Sequence, residues 1–261
     1  MVLDNAGHWE QILAVLGWFR AHPRPGVYLR QVDIPGVDTK FIEARRALMI
    51  ELLDLVLPAE AVAPSAGRDF EARYGLLSKP PLVRFRVLDV RLGVGGLSDV
   101  ATPAAQFARL DLPVRRVVLT ENEINGLALP ELPDALVVFG LGYGLERLAA
   151  VEWLHRKEIH YWGDIDTHGF AILDRLRAMF PRARSLLMDR ETLLAHRSMW
   201  GREPSRHAAP LARLTSEERT LFEDLVENRV GEHVRLEQER VPFGWVKRAL
   251  ASIVSGTSDS K

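Results

Sequence analysis

Three β-prone runs, residues 114–120, 135–139 and 158–163, and a fourth at 184–188 alternate with helical patterns at 123–129, 144–155 and 169–180. Few folds accept that alternation. Strands separated by helices predict an α/β fold with a parallel sheet whose two faces are covered by the helices. In open sheets of this kind, ligands meet the protein outside the carboxyl ends of the strands. The residues that end these runs are therefore where chemistry is to be sought, and two of the runs end in acids. The first closes Leu119-Thr120-Glu121, the third Trp162-Gly163-Asp164-Ile165-Asp166.

Asp164 and Asp166 stand two residues apart. If the strand persists they point to one side, and if it has ended they flank a sharp turn. Two carboxylates aimed at one spot are costly unless a cation compensates. The competing reading makes Asp166 or Thr167 the N-cap of the helix that follows and Asp164 a turn residue. Glu121 alone reads as a first-turn glutamate facing a helix dipole. Joined to the aspartate pair it completes three carboxylates at one sheet edge, a donor set for a hard divalent cation. Between them, Gly140, Gly142 and Gly144 follow a strand, but the third glycine comes too early for a dinucleotide fingerprint and no Lys-Ser/Thr follows. A tight turn explains these glycines better. His168 is placed to contact a phosphate or orient a water, although a lone histidine more often caps a helix or lies on the surface. The charge-dense stretch 235–240 reads by default as a solvated helical face, with Glu237 or Glu239 joining the acidic edge as the minority reading.

The first part of the chain is mostly helical. Trp9, Ile12, Leu13, Leu16 and Phe19 predict a helix over 8–21, a short strand is expected over 28–34, and Pro35-Gly36 turns the chain. A second helix is expected over 41–57, a small-residue linker over 59–67, and a half-buried strand over 82–88 with Arg84 and Arg86 outward. Two domains follow, 1–110 and 111–261. The second ends in helices near 215–229, opened by a Thr215-Ser216-Glu217-Glu218 capping pattern, and 246–254, then a polar tail expected to be disordered. The 261 residues carry a net charge of −1 and no cysteine. Disulfides and thiolate metal sites are excluded, and a cytoplasmic location is expected. No apolar run reaches membrane-spanning length, and the N-terminus lacks the pattern of a signal peptide. Of the 34 basic residues only five are lysines. Arginine suits phosphate, although a high-GC genome gives the same bias.

The order of parts is strand-Glu, strand-Gly-x-Gly-x-Gly, then strand-Asp-x-Asp-x-x-Gly and a helix. It resembles the Toprim module of topoisomerases, primases and some nucleases. The string Gly163-Asp164-Ile165-Asp166-Thr167-His168-Gly169 is similar to the topoisomerase VI A subunit. Residues 29–43, Leu119-Thr120-Glu121-Asn122-Glu123, 161–169 and Leu236-Glu237-Gln238-Glu239-Arg240-Val241-Pro242 together resemble the D subunits of Wadjet anti-plasmid systems, the JetD family. That resemblance implies a divalent-metal-dependent DNA endonuclease. Glu121, Asp164 and Asp166 would be its catalytic and metal-binding residues and Mg²⁺ or Mn²⁺ its cofactor. Double-stranded DNA and an SMC-like motor would be its partners, a homodimer its state, and no membrane would be involved. It also implies that the helical part is winged-helix-like (CAP-like). There Lys40, Arg45 and Arg46 are candidate phosphate contacts, with a solvated helix face as their ordinary reading. Family members carry a longer N-terminal arm, so a shortened arm is expected. The topoisomerase tyrosine has no counterpart, which favours hydrolysis over a tyrosyl-DNA intermediate. The alternatives are a non-catalytic DNA-binding subunit with a structural or vestigial acidic cluster, and a small-molecule phosphotransfer enzyme, which the broken glycine pattern disfavours.

Overall fold

The computed structural model describes residues 3–140 and 142–255. The polar tail from 256 on and Leu141 of the glycine loop lie outside the described residues. The chain forms two compact units, Met1–Pro80 and Pro81–Lys261.

The first unit carries α1 (Trp9–Ala21), α2 (Thr39–Ala44), α3 (Arg46–Val56) and α4 (Phe70–Tyr74). Ile12, Val15, Leu16 and Phe19 of α1 are buried with Met49, Leu53, Phe70 and Tyr74, as the spacing predicts, while Leu13 turns to solvent. Phe19, Phe70 and Tyr74 meet edge to face, the geometry their ring quadrupoles favour. Three local expectations are corrected. Residues 28–34 are not a strand. Gln31 folds back, its side chain accepting the Tyr28 N–H at 2.9 Å, which makes a 3₁₀ turn over Leu29–Gln31. The helix expected over 41–57 is two helices, interrupted at Arg45, whose guanidinium bonds the Asn5 side chain at 2.8 Å and the Phe41 carbonyl at 3.4 Å. The 59–67 stretch is no spacer between domains: it makes two 3₁₀ turns inside this unit, with Ala61 in the core. Among its described residues the unit has no strand beyond the isolated bridges Tyr28–Leu77 and Ile34–Val37.

The second unit carries, in order, β1 (Leu82–Val87), β2 (Asp99–Pro103), α5 (Ala104–Phe107), β3 (Arg116–Thr120), α6 (Glu123–Ala128), β4 (Ala135–Phe139) and β5 (Glu158–Trp162). Then follow α7 (Thr167–Met179), β6 (Arg184–Ser185), α8 (Arg190–Ala195), β7 (Gly201–Arg202), α9 (Ser216–Val226), β8 (Val234–Arg235) and α10 (Phe243–Ser255). Six strands form one sheet in the order β2-β1-β4-β3-β5-β6. The β4-β3-β5-β6 part is parallel, and β3 and β4 are buried at every position, as strands covered on both faces must be. The β1–β2 hairpin adds an antiparallel edge against β4. That pairing puts the unit boundary at Pro80–Pro81 rather than at 110. The helix expected over 144–155 is two 3₁₀ segments, Gly142–Leu148 and Glu152–Arg156. The last strand shrinks to two residues, and the left-handed Leu187 (φ 58°) turns the chain soon after it. The capping pattern before α9 is realised, with Thr215 and Glu218 exchanging hydrogen bonds. Glu218 is buried and also receives Arg177 of α7 at 2.5 and 2.9 Å, which ties α7 to α9.

The strand order has a functional consequence. The first parallel strand, β3, lies between the second and third, β4 and β5. The chain leaves β3 for one neighbour and returns on the other side, so a crevice opens between the carboxyl ends of β3 and β5.

Candidate functional site

Thr120 pairs with Trp162 at the last position of the β3–β5 ladder, so Glu121 and Gly163 leave the sheet side by side. A Cβ on Gly163 would stand 2.5 Å from the Tyr161 hydroxyl. Without it, the buried phenol reaches across and donates to Glu121 Oε1 at 2.6 Å. The chain then runs as a short extended piece in which Ile165 exchanges both backbone hydrogen bonds with Leu236, at 2.9 and 3.1 Å. Asp166 caps α7, its Oδ1 accepting the Gly169 N–H at 2.7 Å. Gly169 is required here, because any Cβ would collide with the Asp164 carbonyl oxygen. The cap reading of Asp166 is thus realised.

The stretch 235–240 is not a solvated helical face. Arg235 ends β8, Gln238–Arg240 is a 3₁₀ turn, and the segment straps across the acidic edge. Arg235 reaches Asp164 Oδ2 at 2.5 Å and Asp166 at 3.1 Å. The Gln238 N–H donates to Asp164 Oδ1 at 2.9 Å. The buried Gln238 amide donates to the Trp162 carbonyl and accepts from Thr120 at 3.2 Å and from Asn125 at 3.3 Å. One side chain thus joins the ends of β3 and β5 to α6. Glu239 accepts from Asn122, and Glu237 pairs with Arg240 at 2.8 Å and faces Arg235 at 3.6 Å.

Glu121, Asp164, Asp166, His168, Glu203 and Arg235 line one cavity of about 280 Å³. Burial pushes the Glu121 carboxyl above its usual range, against the pull of the Tyr161 hydroxyl, and Asp164 adds to the rise. Asp166 is pushed up to about 6, first by burial and then by Glu203 and Asp164, while the Gly169 N–H and Arg235 act the other way. Its folded value lies above the ordinary 3.8, so its contribution favours the fold below about pH 4 and is lost as pH rises through 6. Ionised Asp166 then opposes the metal-free fold by roughly 3 kcal/mol at most. Asp166→Asn is expected to gain melting temperature over the parent as pH rises from 4 to 8 in the presence of a chelator. Thermal melts that show the same difference at both pH values would contradict this.

Among the described residues, no three His, Asp or Glu side chains are gathered tightly enough to cage an ion. Mg²⁺ does not need a cage. It keeps several waters and uses one or two carboxylates plus substrate phosphates. Hard oxygen donors lining one cleft fit such an ion. Glu121, Asp164 and Asp166, the three acids singled out by sequence, are brought together here. His168 joins them at the rim, its Nε2 3.4 Å from the Ser205 hydroxyl. Lys40, Arg45 and Arg46 belong to the first unit. Lys40 is exposed, whereas Arg45 is half-buried on Phe41 and Asn5, and Arg46 pairs with Glu71. Sequence reading missed Tyr161, Glu203, Arg235 and Gln238. The charge density at 235–240 was the available signal for two of them. Glu203, buried under the Thr167 and His168 N–H groups at 3.1 and 3.3 Å, had none.

A family model described as "Wadjet protein JetD, C-terminal" matches residues 75–250. A second, described as an uncharacterized N-terminal region conserved in bacteria, matches residues 1–54. A search of curated proteins finds no match.

Proposed function

The chain belongs to the JetD family of Wadjet proteins, and from that premise we propose that it is the divalent-metal-dependent DNA endonuclease subunit of an anti-plasmid complex. The observation that carries the proposal is the convergence of Glu121, Asp164 and Asp166 on one cavity at the switch point of the sheet. The order β4-β3-β5-β6, with acids after β3 and β5, supports a Toprim reading of the second unit.

In this mechanism Asp164 and Asp166 hold Mg²⁺ or Mn²⁺. When bound, the ion supplies Lewis-acid stabilisation of the negative charge that develops on a phosphodiester. Glu121, whose proton affinity burial raises, accepts the proton of the attacking water. The Tyr161 hydroxyl fixes which Glu121 oxygen is available. Gln238 holds the two strand ends in register, and His168 at the rim contacts phosphate. In the helical unit, Lys40 is the cation offered to the DNA backbone, with Arg45 and Arg46, five and six residues on, already engaged with their own neighbours. The winged-helix-like role of that unit, the homodimer, the SMC-like motor and the cytoplasmic setting belong to the same proposal. No helix among the described residues is long and apolar enough to cross a membrane.

Supercoiled plasmid incubated with the motor-assembled protein is expected to be cut with Mg²⁺ or Mn²⁺ and left intact with a chelator. Metal-independent cutting, or none with either ion, would overturn the proposal. A non-catalytic DNA-binding subunit with a structural acidic cluster is the reading that survives in the second case. Arg235 seated on both aspartates is the observation that favours it.

A further inference from the structure

The acidic edge carries a cation of its own. Arg235 touches Asp164 through a terminal nitrogen and Nε, at 2.5 and 3.2 Å, and Asp166 through Nε at 3.1 Å. Its backbone is fixed on two sides. The Leu236–Ile165 bridge holds one, and the Glu203 N–H bonded to the His233 carbonyl at 2.7 Å holds the other. Its side chain is not fixed in the same way. It is 30% exposed, lines the cavity, and has a third acidic neighbour, Glu237, at 3.6 Å.

A divalent ion and a guanidinium cannot both take the inner oxygens of Asp164 and Asp166. Like charges that close repel strongly in a partly desolvated cleft. Resting on the metal reading of this edge, we propose that Arg235 is a resident counter-cation that a divalent ion must displace from Asp164 and Asp166. The displaced guanidinium, still tethered at the cavity, then faces the phosphate brought by DNA. Arginine's planar fork suits both states, bidentate to carboxylate in one and to phosphate in the other. The device offsets part of the charge of the acidic pair until metal and substrate arrive together.

Calorimetric titration of the full chain with Mn²⁺, without DNA, tests this. Arg235→Gln removes the competing charge and is expected to bind Mn²⁺ about tenfold more tightly than the parent. Arg235→Lys, whose ammonium cannot fork between two carboxylates, is expected to fall between the two. Should the glutamine variant fail to fold, the lysine variant carries the comparison. Affinity that is unchanged or weaker in the variants would overturn the proposal, because the guanidinium would then be supporting the metal rather than opposing it. Absence of Mn²⁺ binding by the parent and both variants would overturn the metal reading itself and this inference with it.

Discussion

Replacing Glu121 by glutamine is expected to lower plasmid cleavage by about a thousandfold, the middle of the range that a positioned acid–base group contributes. The melting temperature should change by no more than about 3 °C. The two expectations belong together. Asp164 and Asp166 are bound into the fold through Arg235, the Gln238 N–H and the Gly169 N–H, so changing them disturbs structure as well as chemistry. Among the described residues Glu121 accepts one side-chain hydrogen bond, from Tyr161 at 2.6 Å, which a glutamine oxygen also accepts. The substitution keeps shape and hydrogen bond and removes only the ability to take a proton. Cleavage within tenfold of the parent would remove Glu121 from the mechanism and leave the aspartates to explain it alone.

Gly169→Ala is expected to be as damaging by another route. A Cβ at 169 collides with the Asp164 carbonyl oxygen and stands 3.4 Å from Asp166 Oδ1. A backbone carbonyl cannot swing aside as a flexible side chain can. Either α7 moves off its cap or the 164–166 segment moves off Leu236. A cost of about 3 kcal/mol is expected, in the range of overpacked sites. It would appear as a fall of roughly 10 °C in melting temperature together with loss of cleavage. Gly244→Ala is the control, since its Cβ would meet nothing closer than an Arg248 nitrogen at 3.9 Å. Near-parental stability of Gly169→Ala would mean that the close approach of α7 to the Asp164 backbone does not hold.

The parts of the fold that could be read from sequence were those whose pattern is complete within one segment. β3, β4 and β5 are largely apolar runs because both of their faces are buried, and acids follow β3 and β5 within two residues. The N-cap of α7 and the capping box of α9 are local chemistry as well. What escaped is tertiary in origin. Arg45 breaks a continuous helical pattern because a partner 40 residues away, Asn5, takes its guanidinium. β1 and β2 join the sheet of the second unit through pairing with β4, which no window around residue 82 reveals. Residues 235–239 look like a solvated charged face because their partners lie more than 65 residues earlier in the chain, at Thr120, Asn125, Trp162 and Asp164. In the candidate site the acids were legible as residue types at strand ends. The strap that orients them was visible only as an unexplained density of charge.

The central proposal is a divalent ion held by Asp164 and Asp166 with Glu121 facing it, and anomalous diffraction from crystals grown with Mn²⁺ tests it most directly. A peak about 2.0–2.6 Å from oxygens of Asp164 or Asp166, with Glu121 facing it and the Arg235 guanidinium withdrawn, is the predicted result. No peak at saturating Mn²⁺, with Arg235 still seated on both aspartates, would contradict it.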